Sequence, residues 1–254
     1  MTVPRVRAVV LAAGAGDRFG GRKLEARIAG RSVLQHVLDA LAAAGHDDPI
    51  VVLAPDSPLA TTLDWRRAVR VVNPEPARGL ASSLQLGWAA AMAADPQPSA
   101  VLVTLGDQPM LSPDVVRVVT AAPLDPERPV VAPRYAASGA RNPMRLEREA
   151  ARLVEAANGD RGIGPLLDAE PVLLRWLAVE SDNPDVDRPA DLVRAIEADW
   201  AARVRRNREQ VERLRETPED ADHYAPVTGM FRDDPRRHGE SRGDAGNERV
   251  LADI

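Results

Sequence analysis

Near the start of the chain, two cations stand close behind a glycine loop. In "VVLAAGAGDRFGGRK" (9–23) an apolar run breaks at Gly14 and Gly16, and Arg18 and Lys23 follow. Backbone N–H groups exposed in such a loop can point at an anion, and cations beside them suit a triphosphate. Familiar phosphate loops do not fit. A dinucleotide fingerprint G-x-G-x-x-G that starts at Gly14 would set its last glycine on Phe19. A P-loop needs Gly-Lys followed by Ser or Thr, whereas Gly21 is followed by Arg22, Lys23 and Leu24. Taken alone, the stretch also reads as an ordinary βα turn with solvated charges.

Further stretches carry groups that suit a nucleotide. "LVTLGDQP" places Asp107 directly after an apolar run, with Gly106 easing the turn. An Asp beside a phosphate loop suits Mg²⁺, which prefers carboxylate and phosphate oxygens. The alternative is that Asp107 only caps the turn before Pro109. In "NPEPARGLASSL" a loop ends at Gly79, and Ser82 and Ser83 fall in the first turn of a helix. Their hydroxyls and the free N–H groups of that turn suit a base or a ribose, although a plain helix start reads the same way. "ESDNPDVDRPADL" is dense in acids before the last helix. There Asp187 is either a helix cap or a second metal ligand, with Asp185 the other candidate. The histidines at 36, 46, 223 and 238 show no ligand spacing.

These residues need a scaffold, and the hydrophobic pattern supplies one. Short apolar runs at 6–13, 49–54, 69–72 and 100–106 read as buried strands. Between and after them, 32–44, 80–94 and 112–122 have apolar residues at helical spacing, with Ser32 and Ser112 as caps and Pro113 at a first helical position. Alternating strands and helices predict a mainly parallel sheet covered on both faces. In such sheets ligands bind at the carboxyl ends of strands, where Gly14 and Asp107 fall. Further strands are expected at 129–133 and 171–179, a helix at 147–157, and a long helix from Pro189 to about Glu216.

Composition narrows the function classes. The chain has 254 residues, enough for one large α/β domain plus an extension. A net charge of −5 argues against a general nucleic-acid or membrane-surface binder. The absence of Cys excludes disulfides, zinc-thiolate sites and Cys nucleophiles. No apolar run suits a signal peptide or a membrane span, so a cytoplasmic location is expected. We expect a transferase domain over 1–200, an extension of its last helix over 201–217 and a flexible tail over 218–254, where apolar residues are few.

Taken in order, the motifs resemble those of the molybdenum cofactor cytidylyltransferases, within the wider MobA-like nucleotidyltransferases, over about residues 5–198. "LAAGAGDRFGGRK" is similar to that family's LAAG-x-G-x-R-x-G-x-x-K signature, "GDQP" to its metal motif and "NPEPARGLASSLQLG" to its base and ribose segment. "NGDRGIGPLL" and "DVDRPADL" resemble its later motifs. The resemblance implies a Rossmann-like three-layer α/β/α nucleotidyltransferase fold. Leu11, Ala12, Ala13, Gly14 and Gly16 would wrap the nucleotide, with Gly79, Ser82 and Ser83 at the base and ribose. Arg18 and Lys23 would bind phosphate, and Asp107, with Asp187, would hold Mg²⁺.

The implied reaction moves CMP from CTP to a phosphorylated acceptor, molybdopterin first, and releases pyrophosphate. A molybdoenzyme that receives the cofactor is the implied partner. Alternatives are transfer to a sugar phosphate or another phosphorylated small molecule, and an inactive nucleotide-binding partner protein. Phe19, "RNPM" (141–144) and Arg188 depart from the pattern, the last two in parts that bear on the acceptor.

Overall fold

The computed structural model describes residues 4–14, 16–135 and 140–216. At its centre is β1 (Val6–Ala12), flanked in parallel by β4 (Ile50–Leu53) and β6 (Ala100–Leu105). Apart from Arg7 near the start of β1 and Thr104 in β6, these strands are runs of Val, Leu, Ile and Ala, as strands buried on both faces require. β5 (Val69–Val72) extends the sheet in parallel beyond β4. The other half holds β7 (Val130–Tyr135), β8 (Met144–Glu147) and β9 (Leu174–Val179), giving the order β5-β4-β1-β6-β8-β7-β9. β8 runs antiparallel to both β6 and β7, whereas β9 is parallel to β7. A separate hairpin of β2 (Arg27–Ile28) and β3 (Arg31–Ser32) leads into the first helix.

Alternate residues of β1 feed opposite faces. Ala8, Val10 and Ala12 join a core with α1 (Val33–Ala43) and α4 (Pro113–Ala121). Val9 and Leu11 join a second core with α3 (Leu80–Met92) and α5 (Ala151–Ala156). The result is the expected three-layer α/β/α arrangement. Gly87 lets α3 lie close on the sheet, since a Cβ there would stand 2.4 Å from a Val9 methyl. Two short helices, α2 (Leu59–Thr62) and α6 (Gly164–Ala169), complete the layers. Ser32 caps α1 through a bond from Gln35 N–H, as expected. Ser112 makes no such bond to α4.

The sequence expectations differ from the structure mainly in the second half. Residues 144–147 form β8, and helix α5 begins only at Ala151, after a turn at 148–150. Residues 171–173 form a turn before β9. The last helix, α7, spans Pro189–Glu216. Residues through Val204 belong to one compact unit, and 205–254 to a second, of which 205–216 are described as helix. The expected tail, 218–254, lies outside the described residues.

Candidate nucleotide site

The carboxyl ends of β1 and β6 lie side by side, and the glycine loop springs from the first. Gly106 N–H donates to Leu11 O at 2.9 Å, and a Cβ on Gly106 would stand 3.0 Å from that of Ala12. This close approach brings Asp107 beside the loop. Leu11, Ala12 and Ala13 are buried, while Gly14 is exposed. Gly16 turns the loop at φ +70°, and its carbonyl accepts from the N–H groups of Phe19 and Gly21. The aliphatic stem of Lys23 packs on Gly16, its Cγ 3.1 Å from where a Cβ would be.

Lys23 is thereby aimed inward. Its Nζ donates to Asp107 Oδ2 at 2.5 Å and to Asp187 Oδ1 at 3.3 Å. The side chains of Lys23 and Asp107 are only 14% and 15% exposed, so this pair is largely withdrawn from water. Burial alone would lower the Lys23 pKa, but the Asp107 carboxylate, with Asp187 behind it, holds it above the ordinary lysine value. Arg18 is the exposed cation, with its guanidinium 3.8 Å from Asp187 Oδ2.

Residues 185–187 dock the acids through the apolar residue between them. Val186 is buried, and its N–H donates to Asp107 O at 2.9 Å. Asp187 faces Lys23. Helix α7 is capped instead by Asp191, whose carboxylate accepts from the N–H groups of Asp187 and Arg188. Asp185 accepts from Gln108 Nε2 at 2.7 Å. Desolvation and the charges of Asp107 and Asp187 push its pKa up to about 6, against the pull of Gln108 and Lys23. Its residue surface is nevertheless exposed, so solvent screens part of that repulsion.

The fit to a divalent ion rests on Asp107. Its Oδ1 is buried and has no hydrogen-bond partner, a free acceptor next to the glycine loop. Among the described residues no group of three or more His, Cys, Asp or Glu forms a ready-made metal cage. That suits Mg²⁺, which takes one or two carboxylates and completes its shell with water and phosphate.

Gly79 and α3 bound the site on another side. Gly79 has φ +87°, and a Cβ there would lie 2.5 Å from Gly159 C and 2.6 Å from Asp160 Oδ1. The "NGDRG" turn thus lies against the start of α3. Ser82 and Ser83 are buried, and both hydroxyls accept from Asn73 Nδ2, at 2.8 and 2.9 Å. Ser82 Oγ donates in turn to Gly79 O at 2.8 Å. These hydroxyls fasten the loop after β5 to α3. At this end of α3 the Ser82 N–H donates to Gly79 O at 3.2 Å, and the N–H groups ahead of it have no partner within the helix.

Asn73 and Gln108 are the site residues that sequence reasoning missed. Each directly follows a strand or its turn and is about 1% exposed, with an amide that ties down another site residue. Elsewhere, the described histidines serve structure, His36 bonding Ile28 O and His46 bonding Thr120 Oγ1. A cavity of about 390 Å³ lies by the β2–β3 hairpin. There Arg31 and Arg66 are already paired with Asp39.

A mostly parallel α/β/α sheet with a glycine loop, a lysine and an aspartate at adjacent strand ends is the frame of a nucleotidyltransferase. Residues 8–174 match the MobA-like NTP transferase domain, and the chain belongs to that family. It is 30% identical over 128 residues to a probable molybdenum cofactor guanylyltransferase of Thermococcus kodakarensis, covering 50% of this chain and 58% of that one. It is 35% identical over 134 residues to the bifunctional protein GlmU of Parvibaculum lavamentivorans, covering 47% of this chain and 27% of that one. The chain thus spans between about a quarter and three fifths of the length of these curated relatives. Among solved structures, Rv0371c of Mycobacterium tuberculosis superposes with a TM-score of 0.66 at 28% identity, over 77% of this chain and 100% of that one. The same protein has also been solved in complex with manganese.

Proposed function

We propose that this protein transfers a nucleotidyl group, CMP from CTP, to the terminal phosphate of a small-molecule acceptor and releases pyrophosphate. The observation that carries the reading is the Lys23 ammonium held between Asp107 and Asp187, beside a glycine loop at the ends of β1 and β6. An acceptor phosphate oxygen bonds to the α-phosphorus, and the bond from that phosphorus to the bridging oxygen of the leaving pyrophosphate breaks. The acceptor phosphate is already ionised at neutral pH, so no general base is required. Positioning and charge neutralisation then supply the catalysis. Lys23 and Arg18 neutralise the departing pyrophosphate, and the loop N–H groups orient the triphosphate. Asp107, with Asp187, which shares the Lys23 ammonium with it, would hold Mg²⁺. When bound, the ion offsets negative charge on the nucleotide phosphates.

Molybdopterin is the favoured acceptor, on the likeness to the Thermococcus guanylyltransferase. A sugar phosphate is the second reading, favoured by the likeness to GlmU. CTP is favoured over GTP because Ala13, buried at the root of the loop, adds a methyl where a glycine would leave more room for a purine. A pyrophosphate-release screen tests the whole reading, crossing CTP, GTP, ATP and UTP with molybdopterin and a panel of sugar phosphates. Release with CTP and molybdopterin is expected. Release with no pairing refutes turnover, and release only with a sugar phosphate transfers the assignment to the second reading.

A further inference from the structure

The last helix carries apolar residues on two sides. On one, Leu192 and Ala195 of α7 pack into the core that also holds α1 and α4. On the other, Val193, Ile196, Trp200 and Val204 are exposed, Trp200 at 68%. Their spacing of three, four and four residues keeps them within an arc of about 80° at 3.6 residues per turn. Exposed apolar residues scattered singly are ordinary, but a contiguous row that includes a tryptophan marks a contact surface.

The charges along the helix say what the row fits. Asp191 and Arg194, at its start, pair with each other. Glu197 and Asp199 then stand among the apolar residues, and Arg203, Arg205, Arg206 and Arg208 follow them. Glu197, Arg205, Arg206 and Arg208 are exposed. By helical spacing Glu197 and Arg208 fall on one flank of the row, and Asp199 and Arg206 on the other. Two such helices laid antiparallel about a two-fold axis between Ala202 and Arg203 bring matching flanks together. Residues equally far from the axis then face each other, so Glu197 meets Arg208 of the other copy and Asp199 meets its Arg206, each contact occurring twice. A parallel pair would instead set arginine block on arginine block, which like-charge repulsion disfavours.

We propose that this face of α7 docks a second copy of the chain as an antiparallel, two-fold dimer. Trp200 and Val204 of both copies lie at its centre, and Glu197 of each copy meets Arg208 of the other at its rim. Burial of the apolar row supplies the affinity, with the indole as its largest contact. The rim charges add little strength but fix the direction of pairing. The surface lies outside the span that matches the MobA-like domain, residues 8–174, and is separate from the residues that hold the nucleotide.

Sedimentation analysis of the full chain tests this, at concentrations up to roughly 100 μM, where even a weak pair is populated. The wild type is expected to sediment as a dimer. Trp200→Asp should keep the fold, because the residue is exposed, and should sediment as a monomer. Glu197→Lys alone sets lysine against Arg208 twice, and Arg208→Glu alone sets acid against Glu197 twice. Each should weaken the dimer at least roughly tenfold. An equimolar mixture of these two variants restores opposite charges at both rim contacts and should dimerise like the wild type. Circular dichroism checks that each variant is folded. The proposal is overturned if the wild type is a monomer, which leaves the row to later residues of the chain or to a different protein. It is overturned equally if folded Trp200→Asp dimerises like the wild type, or if the mixture dimerises no more tightly than either variant alone.

Discussion

Replacing Lys23 by Met should separate the lysine's structural and chemical roles, because it keeps the stem that packs on Gly16 and removes only the charge. In the wild type the ammonium lies 2.5 Å from Asp107, and the two side chains are 14% and 15% exposed. The carboxylate left behind stays desolvated. Removing one partner from such a pair costs about 3–5 kcal/mol, and Asp187, 43% exposed, adds little. With 2–4 °C per kcal/mol for a domain of this size, the thermal midpoint should fall by about 6–20 °C. A divalent cation should show the opposite sign. Even at the dielectric constant of bulk water, about 80, a single and a double positive charge about 5 Å apart repel by about 1.7 kcal/mol, more than roughly tenfold in affinity. Without nucleotide, Lys23→Met should therefore bind Mn²⁺ at least roughly tenfold tighter than the wild type, while its affinity for the triphosphate falls. Thermal melts titrated with MnCl₂, and calorimetry with CTP, read the two effects. Equal Mn²⁺ affinity in variant and wild type would show that Lys23 and the ion do not share Asp107, and the site as drawn would be wrong.

The remaining predictions concern other parts of the same site. Asp107→Asn should keep the fold and slow pyrophosphate release by at least about a hundredfold, a few kcal/mol of transition-state stabilisation; near-normal turnover with Mg²⁺ removes Asp107 from the metal. Gly79→Ala should destabilise the domain by at least about 2–3 kcal/mol, because φ +87° is strained for Ala and the methyl would meet Gly159 C at 2.5 Å; chemical unfolding reads it. The raised Asp185 pKa, to about 6, means that its neutral form favours the folded state. That stability is complete below the ordinary carboxylate pKa and is lost as pH rises through about 6, so Asp185→Asn should gain on the wild type over that window in thermal melts. Ala13→Gly should shift binding toward GTP relative to CTP by about 1–3 kcal/mol, and an unmoved ratio in calorimetry discards the steric argument.

The first half of the sheet was legible because its strands are mostly apolar runs rich in Val, Leu and Ile, closed by Gly14, Pro55, Asn73 and Gly106. The second half was not. β8 reads "MRLE", and its Arg145 and Glu147 are fully buried polar residues. Arg145 bonds the carbonyls of Thr120, Ala122 and Pro123 as well as Glu147, and Glu147 also takes Arg175 and Asp125 N–H. Four residues with charges at alternate positions read as the lead-in to the charged helix that follows, because the partners that bury Arg145 and Glu147, apart from each other, lie more than twenty positions away. At the site, types and spacing singled out Arg18, Lys23, Asp107 and Asp187, and the structure gathers them into one cluster. The inward turn of Ser82 and Ser83 was hidden, because it depends on Asn73, which reaches them only once β5 lies beside α3.

The reversed direction of β8 also bears on how such a protein can change over evolutionary time. Because β8 runs against its neighbours, the connection from β7 starts at Tyr135 and ends at Met144 on the same edge of the sheet as Asp107. Parallel strands would need a long crossover to the opposite edge and back. Here the strands on either side of that connection, β7 and β8, meet its two ends at this edge, while the glycine loop, Lys23 and Asp107 belong to other segments of the chain. Insertions or exchanges between 135 and 144 would thus change that part of the edge and leave the residues proposed to bind phosphate untouched. The inverted strand makes the two halves of this edge separately adjustable, so under the proposed function one nucleotide-handling core could be fitted to different acceptors by editing a single connection.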